Sequence, residues 1–172
     1  MNSAKKLTYA ALLVALAFVG ANLKFLGSIA LDALPAFLGA LLLGPFWGAA
    51  VGVLGHLLTA LTSGFPFGLP AHLLIAAMMG LTMAAFWAVS TLLRNRLTQI
   101  VAQGIAAVVA VFINGPLEVL ALFPLLGPAL GKEALLALIP VISMASAVNV
   151  AAAILLYQVL TRSVKALDRK AA

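Results

Sequence analysis

The stretch Leu42-Leu43-Gly44-Pro45-Phe46-Trp47-Gly48-Ala49-Ala50-Val51-Gly52-Val53-Leu54-Gly55 decides how this chain is read. Gly44, Gly48 and Gly52 fall four residues apart, so on a helix they form one stripe without side chains. Small residues at that spacing let a second helix approach closely inside a membrane, where packing rather than water drives association. Pro45 suits the first turn of a helix, where its missing N–H is no loss. Gly44-Pro45 therefore reads as a tight turn joining two membrane helices, with the glycines serving helix packing.

Composition agrees. Of 172 residues, 65% are hydrophobic and only 8% are charged, more apolar surface than a water-soluble domain of this size needs. The charges are segregated: none lies between Asp32 and Arg94, between Arg96 and Glu118, or between Glu133 and Arg162. Each gap accommodates at least one span of about 20 residues. The net charge of +6 sits at the ends of apolar runs, where it anchors spans, and is not a nucleic-acid footprint. Without cysteine there is no disulfide framework and no thiolate metal site. Lys5-Lys6 ahead of an apolar run with Ala15-Leu16-Ala17 imitates a cleavable signal peptide, but the run is long enough to span and further apolar runs follow it.

The expected architecture is an all-α integral membrane protein, one domain over 1–172 with six transmembrane helices. They run from about Leu7 to Leu23, Leu34 to Leu43, Pro45 to Ser63, Pro70 to Leu93, Thr98 to Leu120, and Ala134 to Leu160. The second has ten residues, about 15 Å at helical rise. That is too short to cross unaided, so it is read as tilted, extended by Ile29–Ala33, or re-entrant. An even number of spans puts both termini on one side, together with Lys5, Lys6, Arg94, Arg96, Arg162, Lys165, Arg169 and Lys170. Only Lys24 and Lys132 lie opposite. That asymmetry makes both termini cytoplasmic. Outer connections then fall at Gly27–Ala33, Gly64–Leu69 and Ala121–Glu133.

Polar residues inside the spans are few and aligned. The sixth helix carries Ser143, Ser146 and Asn149 on one face, and the fifth carries Gln103, Asn114 and Glu118 along one stripe. The third carries His56, Thr59 and Ser63. The fourth opens with His72, followed by Met79 and Met83, and the first ends in Asn22 and Lys24. Polar side chains at membrane depth face a bundle interior or a wet cavity. Their common depth, Gln103 excepted, points to an outward-facing pocket. Thr59 and Ser143 read first as hydroxyls bonded to their own backbone. Asn114 and Asn149 read equally as ligand contacts and as interhelical glue. Glu118 follows Gly115-Pro116, where proline kinks the helix and frees carbonyls; it reads as a ligand contact, a gate or an interfacial carboxylate. His56 and His72 lack the i, i+4 spacing of a helical metal site, and no metal is expected.

Gly64-Phe65-Pro66-Phe67-Gly68-Leu69-Pro70 combines stiff prolines, permissive glycines and two phenyl rings able to stack on a planar ligand. Gly27-Ser28-Ile29-Ala30-Leu31 offers closure on the other flank. No Gly-x-Ser-x-Gly elbow or His-Glu-x-x-His pair occurs, and no catalytic residue is expected. Gly127-Pro128-Ala129-Leu130-Gly131-Lys132-Glu133 is one residue short of a phosphate loop and has glutamate where the metal-binding hydroxyl belongs. The chain does not bind ATP by that route.

The whole chain resembles the substrate-binding S components of the energy-coupling factor (ECF) vitamin transporters. The resemblance rests on length, six spans, the 42–52 stretch and Ala11-Leu12-Leu13-Val14-Ala15 in the first helix. It implies that Ala11 and Ala15 face the coupling helices of a transmembrane T component. It implies further that two ATPase subunits use ATP on the chain's behalf, that no cofactor is bound directly, and that the chain resides in the cell membrane of a prokaryote. A vitamin or precursor is expected in the outer half, near Asn22, Asp32, His56, Phe65, Phe67, His72, Asn114, Glu118, Ser146 and Asn149. These candidates include no arginine, which disfavours phosphate or polycarboxylate; their mixture suits a neutral or weakly cationic heterocycle. The sequence is most similar to the subgroup of thiazole and α-ribazole carriers, with α-ribazole, a cobalamin precursor, the first expectation and thiamin or its thiazole precursor next. A membrane scaffold whose polar residues only join helices is the alternative.

Orientation is directly testable, because the chain has no native cysteine. A cysteine introduced at Asn95 should be shielded from impermeant thiol reagents in intact cells, and one at Gly68 should label. The reverse pattern would overturn the expected topology.

Overall fold

Long apolar runs can satisfy their backbone in a bilayer only by closing helical hydrogen bonds, and in the computed structural model 89% of the chain is helical. The structure describes residues 1–22, 24–25 and 29–171, with side chains over 1–22 and 31–163. The order is α1 (Ser3–Asn22), a two-stranded antiparallel ribbon of β1 (Lys24–Phe25) and β2 (Ile29–Ala30), α2 (Leu34–Leu43), α3 (Pro45–Thr62) and α4 (Gly68–Leu93). Then come α5 (Gln99–Phe112), a π-helical turn (Ile113–Leu117), α6 (Glu118–Leu130) and α7 (Lys132–Ala171). The expected end of the first helix at Leu23 and the Gly27-Ser28 arm of the expected lid lie outside the described residues.

Among the described residues, five helices are long and apolar enough to cross a membrane: α1, α3, α4, the continuous run Gln99–Leu130 and α7. Their outward faces carry large apolar side chains such as Phe46, Leu92 and Val108, each more than two-thirds exposed. The short α2 is different. Every residue from Pro35 to Ala40 is buried, and α2 packs against α1, α3, α4 and α7. Its ten residues, below the length of a candidate span, are packed inside the bundle. Phe37 of α2 meets Phe86 of α4 edge to face, with ring centroids 5.2 Å apart, a favourable aromatic geometry.

The glycine stripe works through two of its three members. A Cβ on Gly48 would lie 2.6 Å from Ala40 of α2, and one on Gly52 would touch Met83 and Ala36 at 3.4 and 3.5 Å. Gly55 extends the stripe toward Ala17 of α1. Gly44 does not belong to it. At φ +101° it is the connection between α2 and α3, with open space where a side chain would go; it is glycine for its backbone angle.

Several boundaries differ from the sequence expectation, the first helix starting at Ser3 and the last at Lys132. The connection expected over Ala121–Glu133 is helix as far as Leu130, with Pro124 and Pro128 inside it. The π turn before it supplies the irregularity expected of Pro116. Gly127-Pro128-Ala129-Leu130 is accordingly helical, with the turn to α7 made by Gly131 at φ +80°, and forms no phosphate loop. The fourth helix starts at Gly68, two residues before Pro70, and the last runs past Leu160 to Ala171.

Gly48→Leu should force α2 and α3 apart, since the obstructing atoms include Ala40 backbone that cannot rotate away. A loss of about 1–3 kcal/mol or more is expected, read as a lowered melting temperature in detergent. A stability equal to that of the unsubstituted chain would refute the close α2–α3 contact.

A candidate ligand cavity between the histidine pair and Glu118

At the end of the bundle that carries the 64–68 turn lies a cavity of about 260 Å³. Its wall draws on seven segments. Asp32 and Ala33 come from the lead into α2, His56 from α3, Phe67, His72, Ile75 and Met79 from the turn and α4, Asn114 and Glu118 from the π turn and α6. Val141, Ile142, Ala145, Ser146 and Asn149 come from α7. Eight of the ten residues singled out from sequence thus share one wall.

The other two stand apart from it. Phe65 sits behind His72, edge to face at 5.7 Å, held by a backbone angle of φ +50° that is uncommon for a bulky residue. Asn22 is exposed at the end of α1, and its amide donates to the Phe18 carbonyl one turn back at 2.9 Å. The stripe expected on α7 also divides: Ser143 packs against Gly115 of the π turn, while Ser146 and Asn149 line the cavity. The apolar floor of Ile75, Val141, Ile142 and Ala145 went unread in the sequence. Its only signal was the helical spacing of those α7 positions with Ser146 and Asn149.

The histidines are coupled. His56 Nε2 and His72 Nδ1 are 3.2 Å apart, so one ring donates to the other, and the rings lie 5.3 Å apart. Phe67 stacks on the far side of His72 at 6.0 Å. Among the described residues no group of three or more histidines and carboxylates gathers as a metal site.

The π turn places Asn114 and Glu118. Pro116 has no N–H and crowds the carbonyl four residues back, and widening the turn relieves that crowding. Gly115 is where Ser143 of α7 comes against the widened segment. Single π turns of this kind recur at functional sites.

Asn149 has a structural duty. Its Oδ1 accepts from the backbone N–H of Leu34 at 2.7 Å, and its Nδ2 donates to the Ala145 carbonyl at 2.8 Å. The side chain therefore partners an amide that the start of α2 would otherwise leave open. The Leu34 bond joins two helices, as the glue reading expects, and the side chain also lines the cavity, as the ligand reading expects. Asp32 lies in the connecting segment just ahead. Burial pushes its carboxyl above the usual range, and hydrogen bonds from its own amide and that of Ala33 pull it back in part.

The remaining polar atoms are unpaired. His72 Nε2, Asn114 Oδ1, Glu118 Oε2 and Ser146 Oγ are buried without a hydrogen-bond partner. An unmade hydrogen bond at a buried polar atom costs about 1–3 kcal/mol, and all four of these residues stand along this one space. A recess of about 440 Å³ at the opposite end, near Arg94, Gln103 and Tyr157, lacks this property. There Ser90 donates to the Trp87 carbonyl and Gln103 accepts from Gln158.

The fold is thus a bundle of helices long and apolar enough to cross a membrane, around a cavity whose wall combines histidines, carboxyls and amides with a larger apolar surface. Residues 5–161 match the family described as ECF transporter, substrate-specific component, and the chain belongs to that family. It is thus a substrate-binding membrane subunit of an ECF transporter, a family that associates with T and ATPase components. No curated protein and no solved structure matches it.

The two asparagines should separate under substitution. Asn114→Leu removes a carbonyl that has no protein partner, so it should cost about one to two orders of magnitude in ligand affinity with little change in melting temperature. Asn149→Leu strips the Leu34 amide of its acceptor and should lower the melting temperature by the equivalent of about 1–3 kcal/mol. Measuring both quantities on both variants decides; equal thermal loss in the two would remove Asn114 from the ligand set.

Proposed function

We propose that the cavity is the substrate site of a vitamin or vitamin-precursor uptake system. The four unpaired buried atoms carry this reading, because interhelical glue would pair them with one another. α-Ribazole is the first candidate, on the sequence resemblance, with thiamin or its thiazole precursor next. The chain crosses a prokaryotic cell membrane six times, α2 included, with both termini in the cytoplasm. It hands its ligand to a T component driven by two ATPase subunits that spend ATP, and itself performs no chemistry.

The docking face is α1. Ala10, Leu13, Ala17, Gly20 and Ala21 turn inward, whereas Ala11 and Ala15 are exposed. Alanines 11 and 15 leave a smooth strip suited to close helix approach, while Ala17 is used against Gly55.

Two measurements test the proposal. In a thermal-shift panel of vitamins and precursors, one compound should stabilise the purified chain by about 2.7 kcal/mol when present at a hundredfold its dissociation constant. A panel without any stabilising compound would favour a scaffold. Ala11→Trp and Ala15→Trp should abolish uptake in cells yet leave ligand affinity of the isolated chain within about twofold. Equal loss of both would place these alanines in internal packing.

A further inference from the structure

We infer that the substrate occupies this cavity as a cationic aromatic heterocycle, with Glu118 as the residue that selects its charge. The inference rests on the cavity being the substrate site, and among the candidates proposed for it favours thiamin, a permanent cation, over α-ribazole, whose benzimidazole is uncharged at neutral pH.

The wall is one-sided in charge. Asp32 and Glu118 enter from different elements, the lead into α2 and the start of α6, and line the same space. No lysine or arginine is among the fourteen described residues that line the space. Two carboxyls sharing a partly enclosed cavity repel one another when both are ionised, and a buried carboxylate needs a partner charge. Within the wall only the histidines bear positive charge, and their mutual bond requires one ring nitrogen to keep its lone pair. At most one of them is protonated while that bond stands, so they cannot balance both carboxyls.

Hydrogen-bonding capacity points the same way. Asn114 Oδ1 accepts only, and so does Glu118 Oε2 when ionised; both are unpaired. They sit four residues apart across the π turn, so both come from one wall of the cavity. The same cavity is lined by the stacked rings of Phe67 and His72. A flat ring slid against Phe67 gains stacking, and positive charge on it gains further from the ring face. The complementary ligand is planar, positively charged and rich in donors. An anion would meet two carboxyls and no guanidinium.

The test uses the full chain in detergent and ligand pairs that differ in charge. Thiamin, permanently cationic, is compared with its neutral thiophene isostere deazathiamin, and α-ribazole with its N-methylated benzimidazolium form. Riboflavin and biotin serve as uncharged and anionic controls, all read by calorimetry. The cationic member of at least one pair should bind about tenfold or more tightly than its neutral mate, since hydrogen bonds to charged groups exceed neutral ones by about that factor. In Glu118→Gln, which keeps shape and an acceptor, the preference should fall below about threefold, with the melting temperature of the ligand-free protein confirming a folded chain. Asp32→Asn provides a second variant if Glu118→Gln does not fold, and it should shrink the same preference. Tightest binding by a neutral or anionic compound, or a charge preference unchanged in the folded variants, would overturn the inference and leave the uptake reading standing. Binding of no compound at all would sink the uptake reading, and the charge assignment with it.

Discussion

The bond from the Leu34 amide to the Asn149 carbonyl oxygen, 2.7 Å across 115 residues of chain, is the contact on which the arrangement depends. A helix that begins inside a bundle exposes its first amides where no lipid and little water can satisfy them. Here α2 starts at depth with an alanine in the capping position and no side-chain cap of its own. The acceptor has to come from another element, and α7 supplies it. This bond adds to the packing of the short α2 against the long α7 and joins two elements that both line or lead into the cavity. Removing the amide would therefore disturb fold and site together, which is why a structural and a binding role for Asn149 cannot be told apart from position alone.

The helices were legible because the bilayer permits so few solutions. An uncharged run of 61 residues between Asp32 and Arg94 can only fold back on itself as helices, and Gly44-Pro45 and Gly64–Pro70 are its only breaks. What eluded the sequence was the use made of local exceptions. Gly44 shares the four-residue spacing of Gly48 and Gly52, yet its role is a positive φ. Periodicity registers the spacing and carries no information about the dihedral. Pro124 and Pro128 look like loop residues, yet both sit within α6. The neighbouring α4 and α7 pack around that segment through Ala71, Val119, Leu122, Leu126 and Leu135, and tertiary burial outweighs the missing amides.

The cavity was legible in its polar residues and not in its apolar ones. In a chain with 8% charged residues, each histidine, carboxyl or carboxamide at membrane depth stands out. Asp32, His56, His72, Asn114, Glu118, Ser146 and Asn149 could be named for that reason. Ile75, Val141 and Ile142 could not, because nothing distinguishes them from the apolar residues that face lipid. Asn22 shows the limit of the rule: at a helix end an amide can turn back to its own backbone, as it does to Phe18, and the polar residue then marks only the boundary of the span.

Stability and binding also draw on different parts of the same wall. The side chains that hold the bundle together have their partners: Asn149 with α2, His56 with His72, Ser143 against Gly115. The atoms left over belong to His72, Asn114, Glu118 and Ser146. They come from α4, the π turn, α6 and α7, so no single helix shift pairs them off with one another. A rigid frame that keeps its own polar groups from collapsing together preserves an unmet demand at the cavity. If the cavity is the substrate site, as proposed, that demand is what a ligand would satisfy on entering, and the frame itself would not need to be remade.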